Sequence, residues 1–235
     1  MKKILLIFFF TTLFSCEKKS EDNEWIYPFS DENSSNWKAY NGDSLPKKWK
    51  ITNNLLTFDT EFKLEKEYTK GSDIIFSKEE FENFELHIEW KLPKGGNSGI
   101  FYHIKEGFEE ISEVAPEYQL LDDEGWEELN NAKLSPWQKA GADYAMYSPN
   151  TKFKKLYPSG EWNSTKIIFT EKKVEYWLNE QKILTFVPWS EDWYERKNSG
   201  KWKNSKSYGK YKKGYIGLQD HNSSISFRNM KIRKL

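Results

Sequence analysis

Cysteine is almost missing. Cys16 is the only one in 235 residues, which excludes a disulfide framework and any cysteine-built zinc site. Arginine is scarce too: Arg196, Arg228 and Arg233 are the only three among 36 cationic residues. An excess of either charge is lacking, because 36 Asp and Glu balance those cations. The chain therefore lacks the basic footprint that nucleic acids select, and no nucleic-acid partner is expected. Histidine is limited to His87, His103 and His221. The apolar stretch at residues 4–13 is too short to span a bilayer as a helix. What is plentiful is aromatic: eleven Trp, thirteen Tyr and sixteen Phe. Disordered chains are poor in such side chains, since each buries a large apolar area. The balance points to a folded, aromatic-cored globule with a polar surface.

The N-terminus reads as an address. Lys2-Lys3 is a short positive region, residues 4–13 are the apolar core of a signal, and Leu13-Phe14-Ser15-Cys16 follows. That order resembles a bacterial lipoprotein signal, in which a small residue precedes the cysteine that is lipidated. The expectation is a signal peptide at 1–15, a lipidated tether at 16–24 and one domain at 25–235. Loss of Lys2 and Lys3 would leave 34 cations against 36 anions, a net charge of −2. A lipid on Cys16 would hold the chain in the cell envelope, at the membrane.

From Trp25 onward, period-two alternation dominates. Phe84, Leu86, Ile88 and Trp90 alternate with Glu85, His87 and Glu89; Val174, Tyr176 and Leu178 alternate with Glu175 and Trp177. Residues 162–170 and 174–178 read as a hairpin, with 183–187 as the next strand. One helix is expected near 190–198, opened by Ser190 as N-cap with Glu191 and Asp192 in its first turn. The fold class is all-β: two antiparallel sheets forming a sandwich or jelly roll.

Four segments carry a family likeness: Phe84-Glu-Leu-His-Ile-Glu-Trp-Lys-Leu-Pro-Lys-Gly-Gly-Asn-Ser-Gly-Ile-Phe101, Pro116-Glu-Tyr-Gln-Leu-Leu-Asp122, Gly160-Glu-Trp-Asn163, and Gly214-Tyr-Ile-Gly-Leu-Gln-Asp-His221 followed by Phe227-Arg-Asn229. Together they resemble the 3-keto-disaccharide hydrolase family of bacterial lipoproteins. The resemblance implies a concanavalin-like jelly roll with sugar bound on the concave face of one sheet. It implies action on 3-keto-glycosides, whose ketone an upstream 3-dehydrogenase would install.

The residues can be read for chemistry beside that likeness. On the strand 117–122, Glu117 and Gln119 share one face and Tyr118 and Leu120 the other. A conventional jelly-roll glycosidase needs two carboxylates on such a face, yet Gln119 cannot ionise and Asp122 falls on the opposite side. A 3-keto substrate needs less. Its ketone acidifies the C2 proton, so one base can form an enolate that expels the C1 substituent, and water then adds. The catalytic candidates are His221, Glu117 and His103, with His221 or Glu117 as base. Substrate-binding candidates are Asn97 after the Gly95-Gly96 turn, Gln119, Gln219, and Trp162 with its neighbours Glu161 and Asn163. Histidine and carboxylate clusters could also hold a divalent metal ion, although no spacing such as His-x-x-x-His is present. A non-catalytic glycan-binding module and a conventional glycoside hydrolase are the alternative readings.

Overall fold

The computed structural model describes residues 24–60 and 72–235. The expected signal peptide, Cys16 and nearly all of the expected tether lie outside the described residues. Among those described, no helix is long and apolar enough to cross a membrane.

Among the described residues, twelve strands form two antiparallel sheets, as the alternation predicts. One sheet has five strands in the order β1 (Trp37–Ala39), β4 (Ile74–Phe81), β11 (Gly214–Leu218), β6 (Asn97–Ile104) and β7 (Glu117–Leu121). The other has seven: β10 (Gln181–Phe186), β9 (Lys173–Leu178), β8 (Asn163–Thr170), β5 (Phe84–Lys91), β12 (Ile225–Lys234), β3 (Leu55–Phe58) and β2 (Trp49–Thr52). The hairpin expected near 162–178 is the β8–β9 pair, and β10 follows it.

The aromatic side chains fill the space between the sheets. Trp90 and Phe84 of β5, Phe169 of β8, Tyr176 of β9 and Phe227 of β12 meet Phe76, Tyr102 and Tyr118 of the five-stranded sheet. All eight are essentially inaccessible. Burying large rings at such density is the main stabilising term of the sandwich. The fold is thus an all-β jelly-roll sandwich.

Two α-helices accompany the sheets among the described residues. Helix α2 (Glu191–Ser199) begins where its sequence signals lie, with the Ser190 hydroxyl accepting from the Trp193 N–H at 3.3 Å. Helix α1 (Asp123–Asn130) was not expected, so the single-helix reading is corrected. It starts directly after β7, inside a run of acidic residues whose apolar members are too few to mark a helical face. Its first turn packs on the Gly95-Gly96 turn: the Asp122 carboxylate accepts from the Gly95 N–H at 2.8 Å.

The five-stranded sheet has one more partner on its open side. The Tyr144 N–H donates to the Glu117 carbonyl, the Gln119 N–H to Ala142, and the Gly141 N–H to Gln119. The irregular segment 141–147 thereby runs along the outer edge of β7 and walls that end of the sheet.

Candidate active site

The outward face of the five-stranded sheet divides in two. One half is apolar: Ile75, Phe101 and Ile104 sit under Ile111, Val114 and Ala115. The other half is polar. The ladder registers align Gln219 with Gly99, through the Gln219 N–H to the Gly99 carbonyl, and Gly99 with Gln119. Asp73 precedes β4 one residue before the Ile74–Leu218 pair, which puts it beside Gln219 in the same row. Asn97 lies two residues along β6 from Gly99, and its Oδ1 accepts from the Gln119 amide at 3.4 Å.

Glu117 leans into this row. A Cβ built on Gly99 would stand 2.1 Å from Glu117 Oε1, so only glycine leaves room for the carboxyl there. Glu117 is 5% exposed and its Oε1 has no hydrogen-bond partner. The Gln219 side-chain oxygen is buried without a partner as well. Burial, joined by the charges of Asp73 and Asp143 and eased by Lys201, pushes the Glu117 carboxyl up to about 8. Burial also pushes Asp73 up to about 7; its hydrogen bond from the Asp220 N–H pulls the other way, while the charges of Asp220 and Glu110 add to the rise. Lys201 approaches over the wall, its ammonium 3.4 Å from the Tyr144 hydroxyl and 4.4 Å from that ring. Two carboxyls that titrate near neutrality on a floor of amides can take up and release protons at working pH. Among the described residues, no three His, Cys, Asp or Glu side chains gather closely enough to hold a metal ion.

Of the residues singled out in the sequence, Glu117, Gln119, Gln219 and Asn97 come together on this face. His221 is exposed at its rim, three residues past the end of β11, where Asp220 fixes the turn by accepting from the Asn222 N–H at 2.9 Å.

His103 does not join them, and its expected place needs correction. A bulge interrupts the β6–β11 ladder between Phe101 and Ile104. His103 takes φ +55° there, so both Tyr102 and His103 turn inward. Its ring packs against Phe84, Phe169 and Trp189, its Nε2 lies 2.8 Å from the Glu82 carbonyl, and burial depresses it to about 4.

Trp162, Glu161 and Asn163 sit by the other sheet. Trp162 is flanked by Lys91 at 5.1 Å and Arg228 at 4.1 Å on the outer side of the seven-stranded sheet, and Glu161 is exposed in the preceding turn. Asn163, a substrate-binding candidate in the sequence, faces inward and is buried away from the polar face. Its side chain accepts from the Tyr157 and Asn179 N–H groups and donates to the Tyr157 carbonyl, closing the 157–163 loop.

Sequence reasoning missed Asp73, Gly99, Tyr144 and Lys201. Asp73 and Lys201 stand in segments with no alternation to orient them. Gly99 was quoted only as part of a motif, although a glycine at a central strand position is a signal of close approach.

The pattern of a family described as the 3-keto-alpha-glucoside-1,2-lyase-like domain matches residues 24–233. A 3-keto-disaccharide hydrolase of Bacteroides thetaiotaomicron is 32% identical over 231 residues, covering 90% of this chain and 78% of the relative. The crystal structure of a candidate glycosyl hydrolase from Parabacteroides distasonis superposes with a TM-score of 0.79 at 35% identity, covering 90% of this chain and 94% of that one. A carbohydrate-binding module from Bacillus subtilis shares the fold alone, at 10% identity and a TM-score of 0.51 over 85% of this chain and 96% of the module. With the match running from the first described residues nearly to the end of the last strand, and with the polar face built from the matched strands, the chain belongs to the 3-keto-alpha-glucoside-1,2-lyase-like family.

Proposed function

We propose that this chain is a carbohydrate-active enzyme that cleaves 3-keto-glycosides, 3-keto-disaccharides among them, on the polar face of its five-stranded sheet. The observation that carries the reading is Glu117: a buried carboxyl raised to about 8, with one oxygen unpartnered, above a glycine floor. The Glu117 carboxylate takes the C2 proton. The C2–H electron pair moves into the enolate, and the enolate expels the C1 oxygen. Asp73, held near neutrality, gives the leaving oxygen its proton. Gln119, Gln219 and Asn97 meet the sugar hydroxyls, and His221 serves the rim. Water then adds across the glycal product. The name of the Bacteroides relative supports the substrate class.

A conventional retaining hydrolase would need one carboxylate held ionised as nucleophile. Here both carboxyls are pushed upward, which suits proton transfer and not nucleophilic attack. A lectin would have no use for either shift.

The test is product analysis with a 3-keto-disaccharide beside its unoxidised parent, both deuterated at C2. Cleavage of the keto sugar alone, with the label exchanged into solvent or a primary isotope effect, is the expected result. Equal cleavage of both with the label kept would overturn it. The same reading keeps the chain at the envelope membrane through a lipid on Cys16, downstream of a 3-dehydrogenase. Cells expressing Cys16→Ala should lose the lipid label that wild type takes up.

A further inference from the structure

The outward face of the seven-stranded sheet carries a row of side chains that the mechanism above leaves idle. The ladder registers join Lys231 of β12 to His87 of β5, His87 to Lys166 of β8, Lys166 to Trp177 of β9, and Trp177 to Lys182 of β10. Neighbouring strands thus set three lysines, a histidine and a tryptophan side by side, with no carboxylate in the row. Like charges placed directly across a sheet repel and destabilise it. The acids of this face stand in the rows to either side and are already taken: Glu85 by Arg233, Glu89 by Arg228, and Glu175 by Lys173 and Lys182. Lys166 and Lys231 form no ion pair with a carboxylate among the described residues. What each has is a tryptophan ring, Trp177 at 3.8 Å and Trp25 at 4.3 Å.

The pairing of cation and ring is repeated across the face. Trp177 has Lys182 on it as well as Lys166, Trp25 has Arg233 at 4.7 Å as well as Lys231, and Trp162 has Lys91 and Arg228. All three rings are half-buried. A ring under an ammonium or guanidinium group holds the charge in place without cancelling it. A groove lined by Tyr27, His87, Lys166, Trp177, Asn229 and Lys231 opens along the row, with Glu180 exposed in the turn at its end. The face is thus a fixed array of positive charge in a chain whose overall charge is balanced.

The start of the domain lies on the same ground. Ile26 pairs with Ile232 of β12, and the Trp25 ring stands edge-on to His87 at 5.3 Å. Trp25 comes nine residues after Cys16. A chain of that length reaches no further than about 30 Å at full extension. A lipid on Cys16 would therefore keep this face, and not the polar face on the far side of the sandwich, close to the bilayer. A tether alone leaves the domain free to turn; the cations decide which side settles.

We propose that the row from Lys231 to Lys182, with Trp25 beside it, is a docking surface for the anionic headgroups of a membrane, and that docking turns the polar face of the five-stranded sheet away from the bilayer. The inference rests on the reading that Cys16 is lipidated, and is independent of the sugar chemistry. Headgroup phosphates sit over Lys166 and Lys231, the two cations of the row without a carboxylate. The tryptophan rings lie at headgroup level, where an apolar body with a polar edge is best placed. Each lysine near an anionic surface adds to the attraction, which fades within a screening length.

The experiment takes the lipidated protein from the cells that make it and seats it in vesicles of phosphatidylcholine, alone or mixed with phosphatidylglycerol. An amine-reactive reagent followed by mass spectrometry reads each lysine. Acylation of Lys166, Lys182 and Lys231 should slow about 10-fold in the anionic vesicles relative to the neutral ones, while Lys201 beside the polar face keeps its rate. Salt at about 1 M, which screens charge within about 3 Å, should bring the three back to their neutral-vesicle rates. In the paired variant Lys166→Glu, Lys231→Glu, Lys182 should react alike in both vesicles. Should that variant lose its native near-ultraviolet dichroism, the salt arm on wild type decides. Equal rates in both vesicles for the wild-type row would overturn the docking surface and leave lipid anchoring intact. Protein that carries no lipid and stays out of both vesicles would overturn both. Protection of the row by polygalacturonate in neutral vesicles, with none from phosphatidylglycerol, would also overturn membrane docking and hand the row to an acidic glycan.

Discussion

The polar half of the five-stranded sheet's outward face and the outward face of the seven-stranded sheet treat their carboxylates in opposite ways. On the seven-stranded sheet each acid has a cation. Glu85 takes Arg233 and His87, Glu89 takes Arg228 at 2.7 Å, and Glu175 takes Lys173 at 2.8 Å and Lys182 at 3.4 Å. Burial works to raise Glu85, but hydrogen bonds from His87 and Arg233 outweigh it and the carboxyl falls below its usual range. Glu175 is lowered chiefly by its bond from Lys173. On the five-stranded sheet, Glu117 and Asp73 have no carboxylate-bound cation among the described residues and are raised to about 8 and about 7. The same residue type is spent on solubility on one face and kept reactive on the other; what decides is whether a cation lies within hydrogen-bonding range.

The comparison can be broken most sharply at its two glutamates. Glu117→Gln should lower turnover of a 3-keto-disaccharide by about 10²–10⁴-fold with the fold intact. Glu85→Gln should leave turnover where it is. Equal losses in a kinetic assay would erase the distinction between the faces.

Gly99→Ala tests the floor under Glu117. Its Cβ would collide with the carboxyl, so stability should fall by about 1–3 kcal/mol by denaturant titration, and activity with it.

Acidity gives the next contrast. Carboxyls raised on folding, as Glu117, Asp73 and Asp143 are, contribute stability that is complete below their unfolded values and is lost as pH climbs through about 7–8. The lowered Glu85 and Glu175 contribute stability that is present above their unfolded values and is lost as pH falls. Thermal melts between pH 5 and pH 9, a range set by those shifts of about 7–8, should show Tm declining towards the alkaline end, and Asp143→Asn should flatten that decline.

The smallest expected effect is on the paired face. Trp162→Ala removes a ring held between Lys91 and Arg228 and should cost no more than about 1 kcal/mol, with no change in turnover. A large loss of substrate affinity would bring Trp162 back into the site.

Much of this was legible in the sequence because strands declare their faces. Wherever alternation ran unbroken, as in β5, β7 and β9, the inward and outward sets read from the sequence match the structure, and Glu117 and Gln119 fell on one side. Reading failed where the backbone changed its step. The bulge at His103 turns two consecutive side chains inward, and a left-handed φ at a histidine leaves no mark in a one-dimensional pattern. Asn163 was misread because its burial is satisfied by loop groups at 157 and 179, which only the fold brings near. Asp73 and Lys201 come from separate parts of the chain, and no local spacing links them to Glu117.

Segment 141–147 has a consequence of another kind. Without it, β7 would end the sheet with a free row of carbonyls and N–H groups beside five consecutive buried residues, Glu117 to Leu121. An uncovered edge of that sort is a template for pairing with a second chain. The hydrogen bonds of Gly141, Ala142 and Tyr144 occupy that row. The wall of the reactive face is therefore also the guard that keeps each molecule from zipping onto its neighbour, and changes that loosen the loop should be seen first as aggregation during refolding.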